Sequence, residues 1–104
     1  MKYNKLVRDK IPEIIADSGQ KASFRVLDES EMMSFLEKKL DEEVAEFHES
    51  KTLDELADIV EVLFAIAESL GHSAFELGSR RRRKLFERGG FTKRICLIES
   101  EDTE

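Results

Sequence analysis

Four carboxylates in two pairs, Glu43 with Glu46 and Glu55 with Asp58, have the spacing and chemistry of a cation site. Residues i and i+3 project from one side of a helix, so each pair would present two acids together. The segments that carry them, Lys39-Leu40-Asp41-Glu42-Glu43-Val44-Ala45-Glu46 and Glu55-Leu56-Ala57-Asp58, both have helical character. Between them Glu49-Ser50-Lys51-Thr52 interrupts the apolar periodicity, and Thr52-x-x-Glu55 has the form of a capping box that starts a helix near Leu53. The two segments therefore make an antiparallel hairpin with its bend near residues 50 and 51. Residues equidistant from that bend lie side by side, so Glu46 faces Glu55 and Glu43 faces Asp58. The two rungs are ~4.5 Å apart along the axis. Four acids this close repel one another and raise each other's pKa unless a cation sits among them. An all-oxygen donor set suits Mg²⁺ or Mn²⁺, with remaining positions taken by water and substrate phosphates.

A single acid on a helix surface is usually only solvated, and Glu55 could serve merely as the capping partner of Thr52. Placement on the helix wheel argues against that for the set. At about 100° per residue, Leu36, Leu40, Val44 and Phe47 form the apolar stripe of the first helix, and Glu43 falls inside its margin. In the second helix Leu56, Ile59, Val60, Leu63 and Leu70 form a broad stripe, with Glu55 on its border near Val62 and Ile66 and Asp58 farther round. Acids beside a buried face are costly to desolvate unless paired or bound to metal. Glu42 and Glu49 point away and read as solvated charges.

The elements that must position these acids follow from the rest of the chain. With 104 residues the chain reads as one domain, residues 1–104, whose modest core would gain from oligomerisation. An apolar fraction of 40%, a charged fraction of 38%, one Pro and no Trp suit a helical protein. A net charge of −6 argues against general nucleic-acid binding. Cys96 is alone, which excludes an intrachain disulfide and fits a reducing compartment. Neither a signal peptide nor a membrane span is visible, so the expected location is cytoplasmic.

Residues 1 to 10 form a basic, partly apolar arm carrying Lys2, Lys5, Arg8 and Lys10. Ile11-Pro12 opens a short helix that Ser18-Gly19 ends. Basic residues leading into a helix N-terminus can hold phosphate, although a solvated arm has the same composition. Alternation in Ala22-Ser23-Phe24-Arg25-Val26-Leu27 predicts a short strand, and Phe91 to Ile98 a second that would pair with it. Asp28 with Glu31 caps a long helix from about Glu29 to Glu49. The next runs from Leu53 to Leu70 and stops at Gly71, and Ser73-x-x-Glu76 starts a fourth that ends near Arg88-Gly89-Gly90. Arg80-Arg81-Arg82-Arg83-Lys84 in that helix would spread around all its sides, with one or two turned toward an anionic ligand and the others solvated. His48 and His72 lie at helix ends without Cys or His neighbours and read as surface or capping residues. The chain has no Gly-rich phosphate loop and no spacing that suggests a Ser-His-Asp or Cys-His arrangement.

Glu42-Glu43-x-x-Glu46 followed by Glu55-x-x-Asp58 resembles the EExxE…ExxD signature of the all-α nucleoside triphosphate pyrophosphohydrolases, the MazG-like and phosphoribosyl-ATP pyrophosphohydrolase-like proteins. The opening Tyr3-Asn4-Lys5-Leu6-Val7-Arg8-Asp9-Lys10-Ile11-Pro12 and the closing Arg88-Gly89-Gly90-Phe91 resemble a compact branch of that group, so the likeness spans nearly the whole chain. It implies a mainly α fold, a helical bundle built on the antiparallel hairpin and completed by dimerisation, with room for a small two-stranded β element. It implies a Mg²⁺-dependent hydrolase that cleaves between the α and β phosphates of an ordinary or modified nucleotide, giving a monophosphate and pyrophosphate. It assigns Glu43, Glu46, Glu55 and Asp58 as metal ligands. Only eight residues separate Glu46 from Glu55, fewer than in the larger MazG-like proteins, so no substrate-covering segment fits there.

Hydrolysis of a phosphoanhydride needs charge neutralisation and an activated water, both of which bound Mg²⁺ can supply. Glu43 and Glu46 are the catalytic candidates, Glu46 as a carboxylate able to orient the water. Arg8, Lys10, Lys39 and Arg88 are candidates for substrate phosphate. The broad apolar arc of the second hairpin helix predicts a homodimer or larger assembly. The competing reading is a non-catalytic dimeric helical module that binds a protein or RNA partner, and it places no demand on the exact acid positions.

Overall fold

A computed structural model describes residues 3–102 of the protein. Among them the chain forms α1 (Ile11–Asp17), α2 (Glu29–Ser50), α3 (Leu53–Ser69) and α4 (Ala74–Arg88), so the helical class read from the sequence holds. Local chemistry sets the boundaries. Pro12 sits in the first turn of α1, where its missing N–H would have no helical partner. Asp28 is extended and its N–H donates to Glu31 Oε1 at 3.0 Å, closing the start of α2. At the other end Lys51 adopts the left-handed conformation, with φ 51° and ψ 42°. Thr52 is extended again, and its Oγ1 accepts from the Glu55 N–H at 3.2 Å. These two residues complete the reversal, and α3 packs back along α2. Gly71, with φ 90°, ends the third helical segment, and Ser73 and Glu76 bond reciprocally to start α4, which packs on α3.

The α2–α3 seam is where burial occurs. Leu36, Val62 and Ala67 are buried there or beside it, together with one charged residue, Glu43. The arm before α1 is fastened to this pair by two ion pairs, Lys5 Nζ to Glu42 Oε1 at 2.9 Å and Arg8 to Asp58 Oδ1 at 2.6 Å. Leu6 and Val7 between them are half-buried. The arm thus lies along the groove between α2 and α3.

The expected two-stranded element is absent among the described residues. Residues 22–27 and 91–98 have the alternation of strands but no face to bury: Val26 is 95% exposed and Leu97 79% exposed. Arg94, with φ 57°, and its N–H bond to the Phe91 carbonyl turn the second segment at its start. A lone two-stranded ribbon is marginal in water without a packed face. The broad apolar arc of α3 is also only partly used, because Leu53, Leu56, Val60 and Leu63 remain exposed. None of the described helices is long and apolar enough to cross a membrane.

Candidate metal centre

The hairpin brings Glu43 of α2 together with Glu55 and Asp58 of α3. Each offers a carboxylate oxygen, and these oxygens lie within 4.8 Å of one another. Oxygens bound to one octahedral Mg²⁺ are ~3 Å apart when cis and ~4.2 Å apart when trans, so the three acids would have to draw in around the ion by side-chain movement. Two oxygens in the cluster, Glu43 Oε2 and Glu55 Oε2, are shut off from solvent without a hydrogen-bond partner. Glu43 itself is 6% exposed. An orphaned carboxylate oxygen in such a position is costly unless a cation supplies the missing partner. The donor set and the orphaned oxygens therefore fit a hard divalent ion.

Glu55 shows how the local sequence feeds the cluster. It occupies the third helical position after the cap, the place from which Glu31 and Glu76 turn back onto the cap backbone N–H. Glu55 gives its N–H to Thr52 as those residues do, but its side chain points into the cluster beside Glu43 and Asp58. Loss of solvation, the adjoining Glu43 carboxyl and the charges of Glu46, Glu43 and Asp58 push its pKa up to about 7. Thr52 can therefore cap α3 without using the Glu55 carboxylate.

Glu46 is near enough to raise the pKa of Glu55 but lies outside the compact Glu43–Glu55–Asp58 set. It is exposed, and its carboxylate groups with Glu42 and Glu43 in a second set of oxygens within 4.8 Å, not with Glu55 and Asp58 as a compact four-membered set. Glu43 belongs to both groups and joins them. Glu42, expected to be solvated, is half-buried under Lys5 and lies 3.7 Å from Lys39. The hydrogen bond from Lys5 holds its pKa below the usual carboxylate range, and raises that of Lys5 in turn. The spacing of residues along α2 carries no information about where the arm crosses it, so this pairing was not legible from the sequence.

Of the cations proposed for phosphate, three reach the site. Arg8 bonds to Asp58, and Lys39 lies 3.4 Å from Glu43 Oε1. Lys10 joins both in lining a cleft of about 490 Å³ that opens beside Glu43 and Asp58 under the arm. Arg88 is at the end of α4, exposed and not part of the cleft wall. The Arg80 to Lys84 run is exposed throughout, with Arg83 paired to Glu87 at 3.4 Å and Arg82 over the Phe75 ring. His72 pairs with Glu76 at the start of α4, and the exposed His48 lies near the end of α2 with its ring beside Phe47.

No protein-family model matches the chain, and no solved structure does. It is similar to an uncharacterized protein of Mycolicibacterium smegmatis, 49% identical over 49 residues. That match covers 47% of this chain and half the length of the relative.

Proposed function

We propose that the chain is a Mg²⁺-dependent nucleoside triphosphate pyrophosphohydrolase of the MazG-like, all-α kind, releasing pyrophosphate and a nucleoside monophosphate. The observation that carries the reading is the meeting of Glu43, Glu55 and Asp58 from two helices, with two orphaned carboxylate oxygens, at the mouth of a cleft that also holds Arg8, Lys10 and Lys39. A surface salt-bridge network would pair every acid. A metal site has reason to leave some unpaired.

Glu43, Glu55 and Asp58 would hold the ion, with Glu46 beside them on the Glu42–Glu43 side and less committed to it. The bound ion supplies charge neutralisation at the phosphates and acidifies water. Lys39, held beside Glu43, and Arg8 and Lys10 on the arm stabilise the charge of the phosphate chain as the anhydride opens. Glu46 is exposed and outside the Glu43–Glu55–Asp58 group, which leaves it able to orient the attacking water as general base. Arg8 donates to Asp58 in this structure, so substrate binding transfers its guanidinium from a ligand carboxylate to phosphate.

The reading includes a homodimer or higher assembly. The chain exposes 9774 Å², whereas a compact monomer of its mass exposes about 6,000 Å². Part of the surplus lies in the extended segments 18–26 and 89–102, and the exposed stripe of Leu53, Leu56, Val60 and Leu63 on α3 supplies an apolar face for a partner. Sedimentation at micromolar concentration should therefore show more than the 12.0 kDa monomer.

The test is product identity over a broad panel of ordinary and modified nucleoside triphosphates. Wild type should release pyrophosphate and a monophosphate, and Asp58→Asn, which preserves size but removes charge, should lose activity by orders of magnitude while remaining folded. Orthophosphate release would indicate a γ-phosphatase. Equal pyrophosphate release by both proteins would refute the assigned ligands, and silence across the panel together with no Mg²⁺ response would favour the helical interaction module.

A further inference from the structure

The cleft beside the acids continues along the hairpin, and its wall changes character with distance. On α3 it is lined in order by Asp58, Glu61, Val62, Ala65 and Glu68, and on the antiparallel α2 by Glu43, Lys39, Leu36 and Met32. At 1.5 Å per residue, Ala65 lies ~10 Å and Glu68 ~15 Å along the axis from Asp58. On these two helices acids and Lys39 occupy one end, buried or half-buried apolar side chains the middle, and a carboxylate the far rim. That sequence of surfaces matches the order phosphate, sugar, base in a 5′-nucleotide. A volume of about 490 Å³ is within the range of small-molecule clefts, ~300–1,000 Å³.

We infer that the stretch between Leu36 and Met32 on α2 and Val62 and Ala65 on α3 receives the nucleobase, and that Glu68 at its rim selects bases carrying an amino group. The inference rests on the pyrophosphohydrolase reading for the direction in which the nucleotide lies. Neither helix places a cation at the far end: the α2 and α3 wall there is Met32 and Glu68, so a phosphate gains nothing by entering it. An ionised carboxylate only accepts hydrogen bonds. Guanine presents N1–H and the 2-amino group side by side and can meet both oxygens of one carboxylate. Cytosine and adenine offer a single amino group. Thymine and uracil flank their one N–H with two carbonyl oxygens, which a carboxylate repels. Glu68 is exposed, so the discrimination is that of a solvated, charge-assisted contact and not that of a sealed pocket. Leu6 and Val7 of the arm also line the cleft and add apolar surface beside the base.

Calorimetric binding to the full chain in Mg²⁺, with dGMP, dAMP, dCMP, dTMP and inorganic triphosphate as probes, tests this. Wild type should bind dGMP about tenfold more tightly than dTMP, with dAMP and dCMP between them. Glu68→Gln lies on the surface, should fold, and offers an acceptor and a donor, so the dGMP to dTMP ratio should fall toward one. Ala65→Phe fills the slot and should weaken all four monophosphates at least tenfold while triphosphate binding is unchanged. Equal affinities for the four bases in wild type, or a ratio unmoved by Glu68→Gln, overturns the assignment of Glu68. Monophosphate binding that survives Ala65→Phe overturns the slot. If triphosphate and Mg²⁺ themselves fail to bind, the pyrophosphohydrolase reading has failed and this inference with it, whereas triphosphate binding without base discrimination removes the base subsite alone.

Discussion

Three glutamates stand at the same position in three helices, and one behaves unlike the other two. Glu31 in α2, Glu55 in α3 and Glu76 in α4 each follow their cap residue by three. Glu31 and Glu76 bend back to accept the N–H of the cap residue. Glu31 also receives the Arg25 guanidinium on both oxygens, and these bonds hold its pKa down at about 2. Glu55 has the same backbone setting but reaches across the hairpin to other carboxylates, and its pKa rises to about 7. Glu31 and Glu76 act as structural caps, which want their charge. Glu55 is held where its charge is a liability until a cation is present. The difference arises from α2 lying alongside α3, since α2 brings Glu43 and Glu46 to Glu55.

Removing charge from the cluster should break this contrast most completely. Glu43→Gln relieves the repulsion among Glu43, Glu55 and Asp58 while keeping an oxygen for Lys39, so the metal-free variant should melt higher than wild type, by roughly 4–8 °C for each kcal/mol relieved. In wild type, millimolar Mg²⁺ should raise Tm by mass action, and in Glu43→Gln that gain should vanish along with pyrophosphate release. The same substitution at Glu31 should lower Tm and leave the Mg²⁺ response intact. A Mg²⁺ shift of equal size in Glu43→Gln and wild type would show that the buried acid is not a ligand.

A pH titration sharpens the same comparison. The folded pKa of Glu55 is raised above its unfolded value of 4.5 to about 7, so the folded state holds the extra proton between those values. Its contribution to stability is therefore full below pH 4.5 and lost as pH rises toward 7. For Glu31 the folded pKa is depressed from 4.5 to about 2, so its contribution is present above 4.5 and lost as pH falls through 2. Metal-free protein should thus lose Tm between pH 5 and 7, and saturating Mg²⁺ should flatten that slope. Glu55→Gln should flatten it without metal. A metal-free slope unchanged in Glu55→Gln would mean that another group titrates there.

Much of the scaffold was legible because it depends on local rules. Asp28, Thr52 and Ser73 announce their helices, and Lys51 and Gly71 close the preceding ones, through contacts within a few residues. The core side of Glu43 followed from its place beside Leu36 on the helix wheel, and Glu43 is the one buried charge among the described residues. What periodicity could not give was anything set by distant pairing. Residues 22–27 and 91–98 alternate as strands do, but no packed surface meets them. Glu46, placed opposite Glu55 by symmetry about the bend, does bear on the charge of Glu55, but its oxygens group with Glu42 and Glu43 and not with Glu55 and Asp58, since equal distance from the bend says nothing about how far each helix is rotated. The arm's path over Glu42 and Asp58 and the cleft beneath it needed the folded chain.

Arg8 is where the two kinds of acid can be exchanged most gently. Its pair with Asp58 makes that carboxylate resemble the capping acids, satisfied by a cation from the chain, while Glu43 and Glu55 nearby keep orphaned oxygens. Both partners are substantially exposed, at 55% and 38% of their side-chain surface, and an exposed pair of this kind is worth at most about 1 kcal/mol. Removing it should therefore leave Tm nearly unchanged. Metal binding must compete with that pair at Asp58, so Arg8→Ala should tighten Mg²⁺ by up to about fivefold, the equivalent of 1 kcal/mol. Activity should move the other way, because the same guanidinium is then missing from the phosphates. Lys is the informative second variant: it restores a positive charge but not the planar fork that meets a carboxylate or phosphate on two points, so Arg8→Lys should lie between wild type and Arg8→Ala in both measurements. Mg²⁺ affinity and turnover falling together in Arg8→Ala would mean that Arg8 organises the acids instead of competing with the ion.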